Sequence, residues 1–245
     1  MDDVFPQTSK NRLLAALPDD EIRALKEGFE LVSLSLGHVL YESGDRITHA
    51  FFPTTAIVSL LLIMENGDTA EVGIAGNNGV VGLAAILGAE STISRAVVQS
   101  AGEAVRMPRA AVRKAFETSG LFRELILRYT ASLLSQISQT AACNRLHTIE
   151  QQLCRWLLIN DDLVETNELV MTQELIANML GVRREGVSAA AGNLQRLGII
   201  TYTRGSITIL DRERLESEAC ECYRAATEEY DRLMGPYLGS QGLRV

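Results

Sequence analysis

The chain has few cysteines, no long apolar run and no surplus of positive charge, and each absence closes off a class of protein. Cys143, Cys154, Cys220 and Cys222 are too few, and too clustered toward one end of 245 residues, for the disulfide framework of a small secreted domain. None has CxxC spacing, so no metal site is expected and the thiols read as reduced residues on helices. Cys220 and Cys222, at i and i+2, would point to different sides of one helix. No segment approaches the ~18 apolar residues of a membrane span. The opening MDDVFPQTSKNR lacks a signal-peptide pattern, so a cytoplasmic location without membrane contact is expected. A formal net charge of −8 argues against a protein that coats nucleic acid through overall basicity. No nucleophile–base motif, metal spacing or GxxxxGK[ST] phosphate loop supports an enzyme.

What is present is concentrated in TQELIANMLGVRREGVSAAAGNLQRLG, residues 172–198. Thr172 is a good N-cap, and Leu175, Ile176, Met179 and Leu180 recur at helical spacing before Gly181, which can close a helix in the left-handed conformation. A second helix then starts near Arg183 and Arg184. It is expected to bury Val187, Ala190 or Ala191, Leu194 and Leu197, leaving Arg184, Glu185, Ser188, Ala189 and Gly192 outward. Ala177 supplies the small residue that two steeply crossing helices need. This is the spacing of a helix-turn-helix that enters the DNA major groove, as against an ordinary helical hairpin. The β-rich runs 199–203 and 206–210 flank Arg204-Gly205 and read as a hairpin, so the unit is a winged helix. From 171 to 210 four arginines face two acids, whereas residues 211–245 carry eight acids against five arginines. Positive charge is therefore local to the reading unit, which suits sequence-specific binding.

Between about Phe29 and Met107, short β-branched and aromatic runs alternate with glycine-bearing turns, the pattern of a compact sandwich or barrel. The runs are 29–36, 38–41, 47–52, 56–64, 69–74, 93–99 and 103–107, and eight or so strands are expected. A short amphipathic helix over 13–26 leads in. From Pro108 the period turns helical and, after a break at Ser119-Gly120, runs on to about His147. Leu127, Thr130, Leu134, Ile137, Ala141 and Asn144 form a coiled-coil seam that would pair two chains, while Phe122, Ile126, Tyr129 and Leu133 would face the barrel. A twofold axis would let two reading helices meet half-sites one DNA turn apart, on a palindromic operator. The run 211–234 reads as a further helix, mostly a solvated face, to be packed on the winged helix or on a partner subunit.

This order of parts, with the 172–200 segment, QLCRWLL at 152–158 and Gly44-Asp45, resembles the Crp/Fnr family of bacterial transcription regulators over nearly the whole chain to about residue 212. The resemblance implies an α+β fold: a jelly-roll-like double-stranded β-helix of the cyclic-nucleotide-binding type (1–118), a dimerisation helix (119–147) and a winged helix-turn-helix (148–212), followed here by a tail (213–245). It implies a homodimer on double-stranded DNA, contact with RNA polymerase, and a small-molecule effector. Arg184 and Glu185 match an Arg-Glu pair that reads bases, with arginine donating to guanine and carboxylate accepting from cytosine. By the same resemblance Arg183, Ser188, Thr172, Gln173 and, from the wing, Arg204 join the DNA contacts; Ala189 departs from a frequent second arginine.

The effector region departs further. In the loop Asn77–Leu83, Leu83 stands where binders of cyclic AMP have glutamate, and Thr92 falls where they have arginine, with Arg95 the nearest cation. A buried cyclic phosphate would go unpaired, so cyclic AMP is not expected. Val81, Gly82, Leu83, Thr92, Arg95 and Ser138, the last in an Ile137-Ser138 pair where those binders have Thr-Ser, mark the candidate pocket for another small molecule, or for none. No cysteine precedes Cys143, so an iron–sulfur cluster is not expected either, and His38, His49 and His147 read as surface or core histidines, not haem ligands. Sequence-specific transcription regulation is the expectation; the alternative is a ligand-responsive signalling module whose winged helix docks protein.

Overall fold

The computed structural model describes residues 5–164, 168–203 and 205–238. Two single turns, α1 (Phe5–Thr8) and α2 (Arg12–Ala15), precede α3 (Asp19–Leu25) and a 3-10 turn at Lys26–Gly28. The helix expected over 13–26 is thus broken, because Pro18 lacks the N–H to continue α2 and instead sits at the N-cap of α3.

Seven strands follow where seven runs were read: β1 (Glu30–Leu34), β2 (Val39–Tyr41), β3 (His49–Pro53), β4 (Ile57–Ile63), β5 (Thr69–Ala75), β6 (Arg95–Ser100) and β7 (Gly102–Pro108). Helix α4 (Leu83–Leu87) lies between β5 and β6. The strands form two antiparallel sheets, ordered β1-β7-β3 and β2-β6-β4-β5. Leu34, Phe51 and Ala104 of the first sheet meet Tyr41, Val58, Ala75 and Val98 of the second in one buried layer. Alternation along β3 sends Phe52 and Ala50 to the opposite face. There they pack with Val105, Met107, Leu13 and Leu14 against the central helix.

That face is covered by α5 (Arg109–Thr118) and the 27-residue α6 (Gly120–Leu146), whose N-cap Ser119 accepts from Phe122 N. Phe122, Ile126, Tyr129 and Leu133, one stripe of α6, are buried on the β-roll. After a turn at His147, α7 (Ile149–Asp161) opens with a capping box between Thr148 and Gln151. Next come β8 (Glu168–Val170), α8 (Gln173–Leu180), α9 (Arg184–Arg196), β9 (Ile200–Thr203) and β10 (Ser206–Ile209), and the sheet order is β8-β10-β9. Strand β8 was not anticipated from the sequence; Leu169 pairs with Ile207, completing a three-stranded wing. None of the described helices is long and apolar enough to cross a membrane.

The tail packs on the winged helix as expected, Leu215 and Tyr223 joining its core, but otherwise differs from expectation. It is two helices, α10 (Arg212–Glu218) and α11 (Cys222–Leu238), divided where Ala219 turns extended. Instead of a solvated face, α11 returns along α6: Tyr230 and Met234 enter the β-roll core, and Tyr230 Oη donates to Asn78 O at 2.8 Å. Arg128 on α6 donates to Leu233 O and stacks on the Tyr237 ring at 4.9 Å. At the other end Arg212 bridges Asp161, the last residue of α7, and Asp162, its C-cap.

Candidate DNA-reading interface

Helix α8 starts because Thr172 Oγ1 accepts from Leu175 N, and ends because Gly181, at φ 65°, turns its N–H back to Ala177 O. Ile176, Met179 and Leu180 of α8 meet Val187, Ala190, Ala191 and Leu194 of α9 in one core, where Ala177 is buried as the small residue between them. Gly186 on α9 lies so close to Ile149 on α7 that a Cβ there would stand 2.7 Å from the isoleucine Cδ1. Sequence reading had no signal for that contact.

Burying those faces turns the first residues of α9 to solvent. Arg183, Arg184 and Glu185 are all exposed, as are Ala189 and Gly192. Ser188 is half-buried and donates to Gln173 Oε1 at 2.5 Å, which ties the two candidate contacts together across the helix-turn-helix. Thr172 is exposed. Leu197, expected in the core, is 37% exposed, because it caps α9 and Ile199 takes the buried place. Arg204 lies outside the described residues. What results is a short-chained helix surface led by two arginines and a glutamate, able to approach a duplex closely and to donate and accept at its leading edge.

The unit is docked on the β-roll. Thr69 Oγ1 of β5 donates to Asn178 O at 3.3 Å, and Leu61 of β4 joins the helix-turn-helix core. Deeper in the contact, Trp156 Nε1 donates to Glu71 Oε1, Asn160 Nδ2 donates to Trp156 O, and Gln99 Nε2 donates to Asn160 Oδ1. Burial pushes the Glu71 carboxyl up to about 7, against the lowering effect of the nearby Ser59 hydroxyl, of the Trp156 hydrogen bond and of the Arg155 charge.

The candidate effector residues do not assemble into an anion site. Val81 is core, exchanging N–H···O bonds with Phe51. Gly82, at φ 89°, passes His49 O so closely that a Cβ would stand 2.7 Å from it, so its place is a backbone requirement. Thr92 Oγ1 pairs with Ser94 Oγ, while Arg95 is held bidentate by Glu42 at 2.8 and 2.6 Å. That pairing engages the cation nearest the expected phosphate position. Leu83 is half-buried at the start of α4, and Ser138 is exposed on α6, its hydroxyl donating to Leu134 O.

On the outer side of α6, Leu127 is 49% and Leu134 60% exposed, with Ala131, Ser138 and Ala141 also exposed. Two expected seam residues turn partly inward: Ile137 packs on the β-roll cluster, and Thr130 Oγ1 donates to Ile126 O. The exposed seam therefore runs Leu127, Ala131, Leu134, Ser138, Ala141, four and three apart.

All four cysteines are buried free thiols, as the reduced reading expects, but the placing of Cys220 and Cys222 differs from expectation. Because the chain breaks between α10 and α11, Cys220 and Cys222 turn to the same place, beside Cys143 and His147 at the end of α6.

Comparison with known proteins follows the same division of the chain. The model of the cyclic nucleotide-binding domain matches residues 31–119, and that of the Crp-like helix-turn-helix domain matches 151–218. A putative Crp/Fnr-family regulator from Eubacterium rectale is 18% identical, with a TM-score of 0.66 over 86% of this chain and 97% of its own. FixK2 from Bradyrhizobium japonicum is also 18% identical, with a TM-score of 0.68 over 78% and 98%. A CRP-family regulator of Thermus thermophilus gives 18% identity and a TM-score of 0.64 over 77% and 96%. No curated protein sequence matches the chain. With a cyclic nucleotide-binding domain followed by a Crp-like helix-turn-helix in this fold, the chain belongs to the Crp/Fnr family of transcription regulators.

Proposed function

We propose that the chain acts as a homodimer that binds a palindromic DNA operator through α9, and that its β-roll answers to something other than a cyclic nucleotide, or to no ligand. The observation that carries the first part is the exposure of Arg183, Arg184 and Glu185 at the start of a helix whose other face is fully packed. Half-sites one helical turn apart require two such helices, and the exposed Leu127–Ala141 stripe on α6 supplies a seam of coiled-coil spacing to hold them. Arg184 would donate to guanine and Glu185 accept from cytosine, with Thr172, Gln173 and Ser188 near the backbone.

The second part rests on Leu83, Thr92 and the Glu42–Arg95 pair: the cation nearest the place of a cyclic phosphate is already held bidentate by a carboxylate. An effector would act by favouring one placement of the helix-turn-helix on the β-roll over another, through the Trp156–Glu71 contact.

Selection of bound duplexes from a random pool tests the DNA reading. The expected result is an inverted repeat with half-sites about 10 base pairs apart, bound with an affinity that falls steeply as salt rises. Recovery of no consensus, with salt-insensitive docking to a protein, would favour the signalling-module alternative. Calorimetric titration with cyclic AMP should give no heat of binding; tight binding would overturn the effector assignment.

A further inference from the structure

Cys143, His147, Cys220 and Cys222 bring their four ligand atoms within 4.8 Å of one another. Cys143 and His147 stand at i and i+4 at the end of α6 and so share a face. Cys220 and Cys222 come from the junction of α10 and α11. The Cys143 and Cys220 sulfurs are 3.5 Å apart, and Cys222 Sγ is 3.4 Å from His147 Nδ1. Around a tetrahedral zinc ion, bond lengths of about 2.3 Å to sulfur and about 2.0–2.1 Å to nitrogen place two sulfurs about 3.8 Å apart, and a sulfur and a nitrogen about 3.5 Å apart. These two separations need only a few tenths of an ångström of adjustment, and since all four ligand atoms lie within 4.8 Å of one another, no pair has to close by more than about 1 Å. We propose that these side chains form a Cys3His site for a single zinc-class divalent cation, which fastens α11 to the end of the central helix.

The surroundings suit such an ion. His147 Nε2 faces Glu221 Oε2 at 3.4 Å, an arrangement that presents Nδ1 to a metal and fixes the ring. Gln139 Nε2 donates to Cys222 Sγ at 3.1 Å, as a thiolate would require. Three thiolates on a dication leave one negative charge. The Arg155 guanidinium, buried and acting electrostatically on Cys143, has an Nε without a partner and is placed to balance that charge. Cys154 stands outside the group. On binding, the three thiols release their protons to solvent while His147 coordinates as the neutral imidazole. His147 is 16% exposed and gives the ion a way in. Thiolates around a multi-iron cluster sit on separate metals and would lie farther apart than this convergence. A Cys143–Cys220 disulfide would leave the Glu221–His147 and Gln139–Cys222 contacts without purpose.

The position gives the site a consequence. His147 ends α6 and Thr148 opens α7, so the ion would sit at the joint between the central helix and the helix-turn-helix domain, setting the stiffness of that joint. The assignment goes beyond DNA binding and is tested without it.

The test uses the full chain, stripped of metal by a chelator and kept reduced, titrated with Co2+ and then with Zn2+. One equivalent of cobalt should bind with the visible bands and thiolate charge-transfer absorption of a tetrahedral sulfur-rich site, and zinc should displace it. Cys143→Ser and Cys220→Ser should each abolish the charge-transfer band or weaken binding at least about tenfold, and Cys154→Ser should leave it unchanged. Glu221→Gln should weaken binding by about 10–100-fold while keeping the spectrum. The absence of these bands in reduced wild-type protein would overturn the assignment even if every variant failed to fold. A spectrum insensitive to both Cys143→Ser and Cys220→Ser, or freshly isolated metal-free chain carrying a Cys143–Cys220 disulfide, would overturn it equally.

Discussion

Trp156 Nε1 donates to Glu71 Oε1 at 2.9 Å across the contact between the helix-turn-helix domain and the β-roll, with both side chains buried. The remaining carboxylate oxygen, Glu71 Oε2, has no hydrogen-bond partner. A charged carboxylate is therefore costly there, and the contact between the two domains is sensitive to its protonation.

The sign of that sensitivity is determined by burial. Glu71 titrates at about 7 in the folded chain and near 4.5 in the unfolded one, so between those values the folded state holds a proton that the unfolded state has lost. Stability contributed at this position falls as pH rises from about 4.5 to about 7 and is flat above that. Glu71→Gln retains an acceptor for Trp156 and cannot ionise. Urea denaturation should find it more stable than wild type by roughly 2–3 kcal/mol near pH 8 and about equal at or below pH 4.5.

Gly82 meets a backbone requirement. Because it lies at φ 89° with His49 O in the way of any Cβ, Gly82→Ala should lower stability by about 1–3 kcal/mol, read from the denaturation midpoint. An unchanged midpoint would show that the loop can move away from β3.

Leu127 and Leu134 are exposed enough that replacing both with aspartate should leave the fold of the monomer intact. Charges in a coiled-coil seam oppose its closure. Sedimentation equilibrium should show the double variant as a monomer and the parent chain as a dimer, with circular dichroism unchanged.

The strands β1 to β7 were legible because alternation and glycine-bearing turns act locally, and α8 and α9 because cap, turn and core spacing all lie within one short segment. The wing was legible as a hairpin, but β8 was not, since three residues with one buried leucine carry too little pattern. The fate of the tail was hidden: no glycine or proline marks the break at Ala219, and Tyr230 finds its acceptor 152 positions away. The thiol cluster escaped for the same reason. Cys143 and Cys220 are 77 positions apart, so spacing within either segment suggests no site, and only the return of α11 along α6 brings them together.

Arg184 is the first residue of α9 and is exposed. On the duplex selected by the parent chain, Arg184→Ala should weaken binding by ~1–3 kcal/mol, measured by gel shift at fixed salt, and relax the base preference at one position of each half-site, while the dimer persists in sedimentation. An affinity equal to the parent's, with the same base preference, would contradict the assignment of α9 as the helix that reads DNA.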